Sequence, residues 1–208
     1  MTNFNSNYQP LPELQLSEHF FRTQLEGLLY FKAPKHNDER GFFSETVILP
    51  ELEEVLNKPF PIKQVNHARS QTKVVRGLHA ESWNKLVTVI CGSAISVIAD
   101  LRPDSPTYKQ HQAFELSCDQ VEEYGSGLYI PQGLANSICV MQGPLSYLYL
   151  VDKLYQERSP QDELVVSLFD EELAIDWPIP KEEMILSERD MNAVSLRELL
   201  REKDGDGQ

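Results

Sequence analysis

Leu86-Val87-Thr88-Val89-Ile90-Cys91-Gly92-Ser93-Ala94-Ile95-Ser96-Val97-Ile98-Ala99-Asp100 is the most strand-like run in the chain. Its Val, Ile and Thr side chains are β-branched, which suits a pleated surface and costs rotamer freedom in a helix. Gly92 divides the run, predicting two strands with a turn between them. Similar runs lie on both sides. Upstream, Gly27 to Phe31 reads as a strand closed at Pro34. Arg40 to Thr46 alternates two faces, and Pro61 to Arg69 is extended. Downstream, Arg102 to Thr107 is a turn cluster. Strands follow at Gln112 to Leu116, Gly127 to Ile130, Asn136 to Met141 and Leu145 to Val151, punctuated by Pro131-Gln132-Gly133 and Gln142-Gly143-Pro144. Strands with turn signals about every 8 to 12 residues and few helices between them imply an all-β sandwich or barrel.

Helical signals are short and peripheral. Leu49 to Leu56 carries Pro50 at its start and acidic residues in its first turn, which suits the helix dipole. Ser187-Glu188-Arg189-Asp190 reads as a helix start, and Leu196 to Arg201 as a helical tail. No composition shift marks a second domain. The expectation is one domain over residues 1–208, with a loose N-terminal arm (about 1–24) and a C-terminal tail (about 192–208) frayed from Asp204 onward.

A net charge of −13 argues against a nucleic-acid partner, because phosphate binding needs a cationic face. A few local arginines still suffice for a small anionic ligand. Cys91, Cys118 and Cys139 are odd in number and widely spaced, which fits a reducing compartment better than a disulfide framework. The chain opens on no basic-then-apolar leader, and no apolar run approaches the roughly 20 residues that span a bilayer. These features predict a cytoplasmic protein that does not engage membranes.

Polar chemistry concentrates in Val75 to Lys85, directly ahead of the first long run. His79 can serve as a general base near neutral pH without a large environmental push. Lys85 can supply positive charge to a developing oxyanion. A lone histidine beside apolar residues is more often structural, and a lone lysine more often solvated, so this stretch by itself leaves both readings open. Iron or manganese on a jelly roll needs two or three histidines with a carboxylate. The five histidines, at 19, 36, 67, 79 and 111, include no His-x-His, so no metal site is expected. Strand alternation places Tyr147, Tyr149 and Tyr155 on one face, either as core or as phenols aimed into a cavity. Arg40, Glu45, Gln64, Asn66 and Arg76, polar residues on or beside strands, are candidates to line a pocket for an anion.

The order of these motifs resembles one family. Asp38-Glu39-Arg40-Gly41-Phe42-Phe43-Ser44-Glu45, Gln64-Val65-Asn66-His67, Val75-Arg76-Gly77-Leu78-His79, Lys85-Leu86-Val87 and Asp100 to Thr107 are similar to the dTDP-4-dehydrorhamnose 3,5-epimerases. The likeness continues through Ile130 to Gly133, Tyr149 to Tyr155, Phe169-Asp170 with Trp177-Pro178, and Leu186 to Asp190, collinear over roughly residues 25–192. The resemblance implies a cupin-type double-stranded β-helix, or jelly roll, with short peripheral helices and a helical C-terminal tail. It implies a homodimer with strands crossing between subunits, no metal and no cofactor. The implied substrate is a dTDP-4-keto-6-deoxy sugar and the product lies on the L-rhamnose pathway. His79 becomes the base, Asp190 the carboxylate that orients it, Lys85 the enolate stabiliser and Tyr149 the proton donor on the opposite face. Arg40 and Glu45 would meet the nucleotide from the partner subunit, and Gln64, Asn66 and Arg76 the base or phosphates. Asn136, Tyr155 and Arg189 complete the substrate-binding set.

Two places depart from the main pattern. Asn136 stands where most members carry a histidine, and Ala80-Glu81 replaces an aromatic-Gln pair. A divergent, streptococcal-type branch of the family looks similar at both places, with Leu-His-Ala-Glu-x-Trp and Ala-Asn. The substitutions bear on which nucleotide sugar fits more than on the proton chemistry. Two alternatives follow: inversion at C3 or C5 alone on a related sugar, or a non-catalytic nucleotide-sugar-binding cupin. The presence of His79, Asp190 and Tyr149 speaks against the second.

Overall fold

The computed structural model describes residues 8–118, 123–159 and 163–205. In chain order its elements are β1 (Phe20–Arg22), β2 (Leu29–Asp38), β3 (Gly41–Ser44), α1 (Leu49–Leu56), β4 (Gln64–Ser70), β5 (Val75–Ala80) and β6 (Lys85–Asp100). Then follow β7 (His111–Ser117), β8 (Tyr124–Ile130), β9 (Leu134–Val151), β10 (Leu164–Val165), α2 (Glu188–Met191) and α3 (Leu196–Gly205).

The spine is the antiparallel pair β6 and β9, matched from Lys85 opposite Val151 to Asp100 opposite Leu134. Their ladder shifts register between Val89 and Ala94. On one side of the shift, β6 borders β8 and β9 borders β4; on the other, β6 borders β7 and β9 borders β5. Bulges bend strands, so two continuous strands serve two sheets. This is the jelly-roll architecture. The turn expected at Gly92 is therefore a bulge inside one strand, and Gln142-Gly143-Pro144 interrupts none. Gly92 is needed there, since its φ is +84° and a Cβ would sit 2.5 Å from the Gln142 carbonyl oxygen.

Both faces of the spine are covered. Val87, Val89, Ile98, Phe114, Leu128 and Tyr147, drawn from both sheets, form the inner core. Leu86, Phe31 and Tyr129 face outward beneath Leu52 of α1 and Phe60. Val75, Leu78, Ala99 and Cys139 face outward beneath the C-terminal segment of Val166, Leu168, Leu173 and Leu196. Burial on two faces explains why the β6 sequence reads as a nearly unbroken apolar run rather than an alternation.

Two boundaries differ from the sequence expectation. β2 passes through Pro34, which sits between the residues paired with β1 and those paired with β3, where a missing donor interrupts no ladder on that flank. The arm is packed from Tyr8 onward: the Tyr8 ring lies tilted against Tyr30 and Phe114, and β1 buries Phe20 and Phe21. At about 1.5–3 kcal/mol for each fully buried aromatic, that pair is enough to hold a short segment down. Residues 1–7 of the arm and 206–208 of the tail lie outside the described residues. Among those described, no helix is long and apolar enough to cross a membrane.

Candidate active site

β5 forms one wall of a cavity of about 330 Å³ between the sheets. Val75, Leu78 and Ala80 pack outward, while Arg76 and His79 line the cavity. Residues three apart on a regular strand would face opposite ways. Here Arg76 pairs with Ile138 and His79 with Asn136, so the register gains one residue on β5 and both side chains turn inward. Gly77 sits at that shift with φ +126°, and a Cβ there would come within 2.4 Å of the Ser137 Cβ. A side chain at Gly77 would push the wall apart.

α2 closes the cavity from the C-terminal segment. Ser187 caps it: its hydroxyl accepts the Asp190 N–H at 3.2 Å and donates to Asp190 Oδ2 at 2.8 Å. Asp190 Oδ1 lies 2.6 Å from His79 Nε2, and the carboxylate is 3% exposed. Burial pushes the Asp190 carboxyl up, but the bonds from His79 and Ser187 and the charge of Arg189 outweigh it and hold it below its ordinary value. An ionised carboxylate at Nε2 favours the tautomer with hydrogen there, leaving the Nδ1 lone pair as the base.

Lys85, the first residue of β6, is 4% exposed and donates to Glu81 Oε2 at 2.5 Å. The Trp83 indole donates to the same oxygen at 3.1 Å. Asn84 fastens the connecting loop to Asp152 through its backbone N–H and its side-chain amide, at 3.0 and 2.6 Å. Burial pushes the Glu81 carboxyl up; the neighbouring Lys85 ammonium, then His79 and Trp83, more than offset that and hold it low.

The far side of the cavity is aromatic. Tyr147 and Tyr149 lie side by side, ring centroids 6.2 Å apart, and the Asn136 amide donates to the Tyr147 hydroxyl at 3.4 Å. Burial raises both phenols, and the Glu81 charge raises them further; Arg76 and Arg158 partly counter this at Tyr149. Each phenol therefore keeps its proton at neutral pH and has one to give. Tyr155 is beyond the end of β9, in a 3-10 turn (Tyr155–Glu157), so strand alternation does not reach it. It still lines the cavity, with the Arg158 guanidinium 3.8 Å from its ring centroid and Trp83 on that cation's other flank at 5.1 Å.

Arg76, Lys85, Arg158 and Arg189 face Glu81 and Asp190 across the lining, a net of two positive charges in a chain carrying −13. That local excess suits a diphosphate. Of the residues singled out in the sequence, His79, Lys85, Tyr149, Asp190, Arg76, Asn136, Tyr155 and Arg189 line the cavity. Gln64 and Asn66 bond to each other at 2.6 Å, and Gln64 accepts the Tyr155 N–H at 3.0 Å, so they brace the rim. Arg40 and Glu45 lie at the β2–β3 hairpin outside this cavity; Arg40 is 84% exposed and pairs with Asp38. Arg158 and Ser187 were not anticipated. Ser187 was legible as a helix cap but not as the second partner of Asp190, and Arg158 belongs to no pattern of spacing. Among the described residues, no group of three His, Cys, Asp or Glu side chains is placed to hold a metal ion.

An oriented imidazole, an ammonium and a protonated phenol around one cavity can remove a proton beside a carbonyl, stabilise the resulting oxyanion and return the proton from another direction. The family model for dTDP-4-dehydrorhamnose 3,5-epimerase matches residues 22–198. A relative of that name from Escherichia coli (strain K12) is 32% identical over 186 residues, covering 88% of this chain and 96% of its own. A dTDP-4-dehydrorhamnose 3-epimerase from Streptomyces niveus is 31% identical over 178 residues, 84% of this chain and 82% of its own. The crystal structure of a dTDP-6-deoxy-D-glucose-3,5-epimerase from Legionella pneumophila Philadelphia 1, bound to dTDP-4-keto-L-rhamnose, is similar with a TM-score of 0.76 and 33% identity, covering 86% of this chain and 92% of that one.

Proposed function

The chain belongs to the dTDP-4-dehydrorhamnose 3,5-epimerase family, and on that premise we propose that it inverts C3 and C5 of dTDP-4-dehydro-6-deoxyglucose to give dTDP-4-dehydro-L-rhamnose. It is an isomerase. The 4-keto group makes the hydrogens on both neighbouring carbons acidic, so a base and an oxyanion stabiliser suffice and no redox step is needed. His79 Nδ1 takes the proton, and Asp190 stabilises the imidazolium that forms. The Lys85 ammonium meets the enolate oxygen at C4. Tyr149 delivers a proton to the opposite face, completing the inversion. Arg76, Arg158 and Arg189 hold the diphosphate.

The observation that carries this reading is the 2.6 Å pairing of His79 with a buried, doubly bonded Asp190 at the wall of a cationic cavity. A non-catalytic binding cupin has no use for an oriented base. Inversion at one carbon remains the competing reading, because the 3-epimerase and the 3,5-epimerase relatives are about equally similar, at 31% and 32% identity. Incubation with dTDP-4-keto-6-deoxyglucose in D2O, followed by NMR, separates these. Deuterium at C3 and C5 is expected; one labelled carbon means a mono-epimerase, and none rules out the epimerase.

We further propose a homodimer in which the β2–β3 hairpin of one subunit brings Arg40 and Glu45 to the nucleotide bound in the other. Phe42 and Phe43, 49% and 67% exposed on that hairpin, give it an apolar surface to bury. A cytoplasmic location follows from the nucleotide-linked substrate.

A further inference from the structure

We propose that Glu81 is a positioning residue of this reaction: its carboxylate anchors the Lys85 ammonium at the cavity wall and sets the electrostatic field in which Tyr149 gives up its proton. The inference rests on the epimerase reading and extends it to a residue outside the base, acid and oxyanion set.

The geometry singles Glu81 out. One of its oxygens, Oε2, receives both the Lys85 ammonium and the Trp83 indole. The loop carrying it is fastened at each step: Ser82 is fully buried and accepts the Ser159 N–H at 3.2 Å, Trp83 is 3% exposed, and Asn84 is clamped to Asp152. A lysine carries its charge on a flexible four-carbon stem, so an ammonium that must meet a developing oxyanion needs an anchor. Lys85 has three donor hydrogens, and one bond to Glu81 leaves the others for substrate.

The groups around Glu81 come from every wall: His79 and Arg76 on β5, Lys85 on β6, Tyr147 and Tyr149 on β9, Arg158 beyond the 3-10 turn, and Arg189 and Asp190 on α2. Its charge is felt by both tyrosines, and at Tyr149 it adds to burial in raising the phenol. A purely structural role, in which Glu81 only neutralises a buried lysine, makes a different prediction. That role would change stability and leave the pH profile of turnover alone.

The test is the pH dependence of C3 and C5 solvent exchange and of turnover in wild type, Glu81→Gln and Glu81→Ala, each checked for folding by thermal melt. Glu81→Gln keeps an oxygen for Lys85 and removes the charge, so the alkaline limb should move down by about one pH unit. Glu81→Ala also removes the anchor, and kcat should fall by about tenfold with KM changed far less. If the melts show that position 81 does not tolerate substitution, Trp83→Phe keeps a buried ring and deletes one bond to Glu81. It should lower kcat several-fold with KM unchanged. Wild-type limb and kcat in the variants would overturn the role of Glu81, whereas absence of exchange in wild type itself would overturn the epimerase reading instead.

Discussion

The cavity wall and the β2–β3 hairpin carry the same kinds of side chain and differ in how those side chains are held. At the wall, Asp190 is 3% exposed with both oxygens bonded, and Lys85 is nearly as buried and paired. On the hairpin, Arg40 is 84% exposed and its partner Asp38 is only two residues away. Held charges in a water-poor cavity act strongly on a reacting group, whereas exposed pairs are screened and contribute little. On the function proposed above, proton transfer falls to groups held within one chain, and part of nucleotide recognition falls instead to the hairpin of a second subunit.

The largest effect should come from breaking the wall at its base. His79→Ala removes the acceptor and leaves Asp190 without its imidazole, and general-base losses run to about 10²–10⁴-fold. Deuterium incorporation from D2O should fall to background at C3 and C5, with substrate binding retained. Exchange persisting at the wild-type rate would mean that the base lies elsewhere on the wall.

Asp100 sharpens the contrast by being as firmly held as Asp190 yet away from the cavity. At the end of β6 it takes hydrogen bonds from Arg102 at 2.9 Å, Thr107 at 2.6 Å and Ser105. Burial pushes its carboxyl up, but these bonds outweigh it and hold the pKa at about 2. Because the folded value lies below the ordinary carboxylate value, this stabilisation is complete above about pH 4 and is lost as pH falls through about 2. Asp100→Asn should cost about 2 kcal/mol at pH 7, with the gap to wild type narrowing on acidification. Denaturant titrations at pH 7 and pH 3 measure this, and turnover per folded molecule should stay unchanged. A drop in kcat would show that this turn shapes the site after all.

The two regions were not equally legible in the sequence. β-branched content and punctuation identify the strands, but not that β6 and β9 run unbroken past Gly92 and Gly143. A bulge is a property of register between two strands, and one strand's pattern does not contain it. The His79 and Asp190 pairing spans 111 residues and has no local signature, so only the collinear order of motifs pointed to it. Glu81 lies four residues from Lys85, and its pairing depends on the turn between β5 and β6. Tyr155 was misplaced on a strand because alternation was counted past Val151, where β9 stops. For Arg40 and Glu45, one chain's strand pattern cannot say which chain's cavity they serve.

The smallest predicted effect bears most directly on that question. If the hairpin meets the nucleotide as proposed, Arg40→Ala removes one charged contact, so KM should rise by about tenfold while kcat stays within about twofold, the sign of lost uniform binding. Stability should not change, since an exposed pair such as Arg40 with Asp38 contributes little. Mixing then decides ownership. In a heterodimer of the Arg40→Ala and His79→Ala chains, one site joins an intact His79 to an intact Arg40 only if the hairpin reaches across to the other subunit. Co-expression of the two should restore turnover with the wild-type KM. If the hairpin serves its own chain, the mixture keeps the high KM of Arg40→Ala, and if Arg40→Ala alone leaves KM unchanged, the hairpin is ordinary surface and the contrast with the wall carries no function.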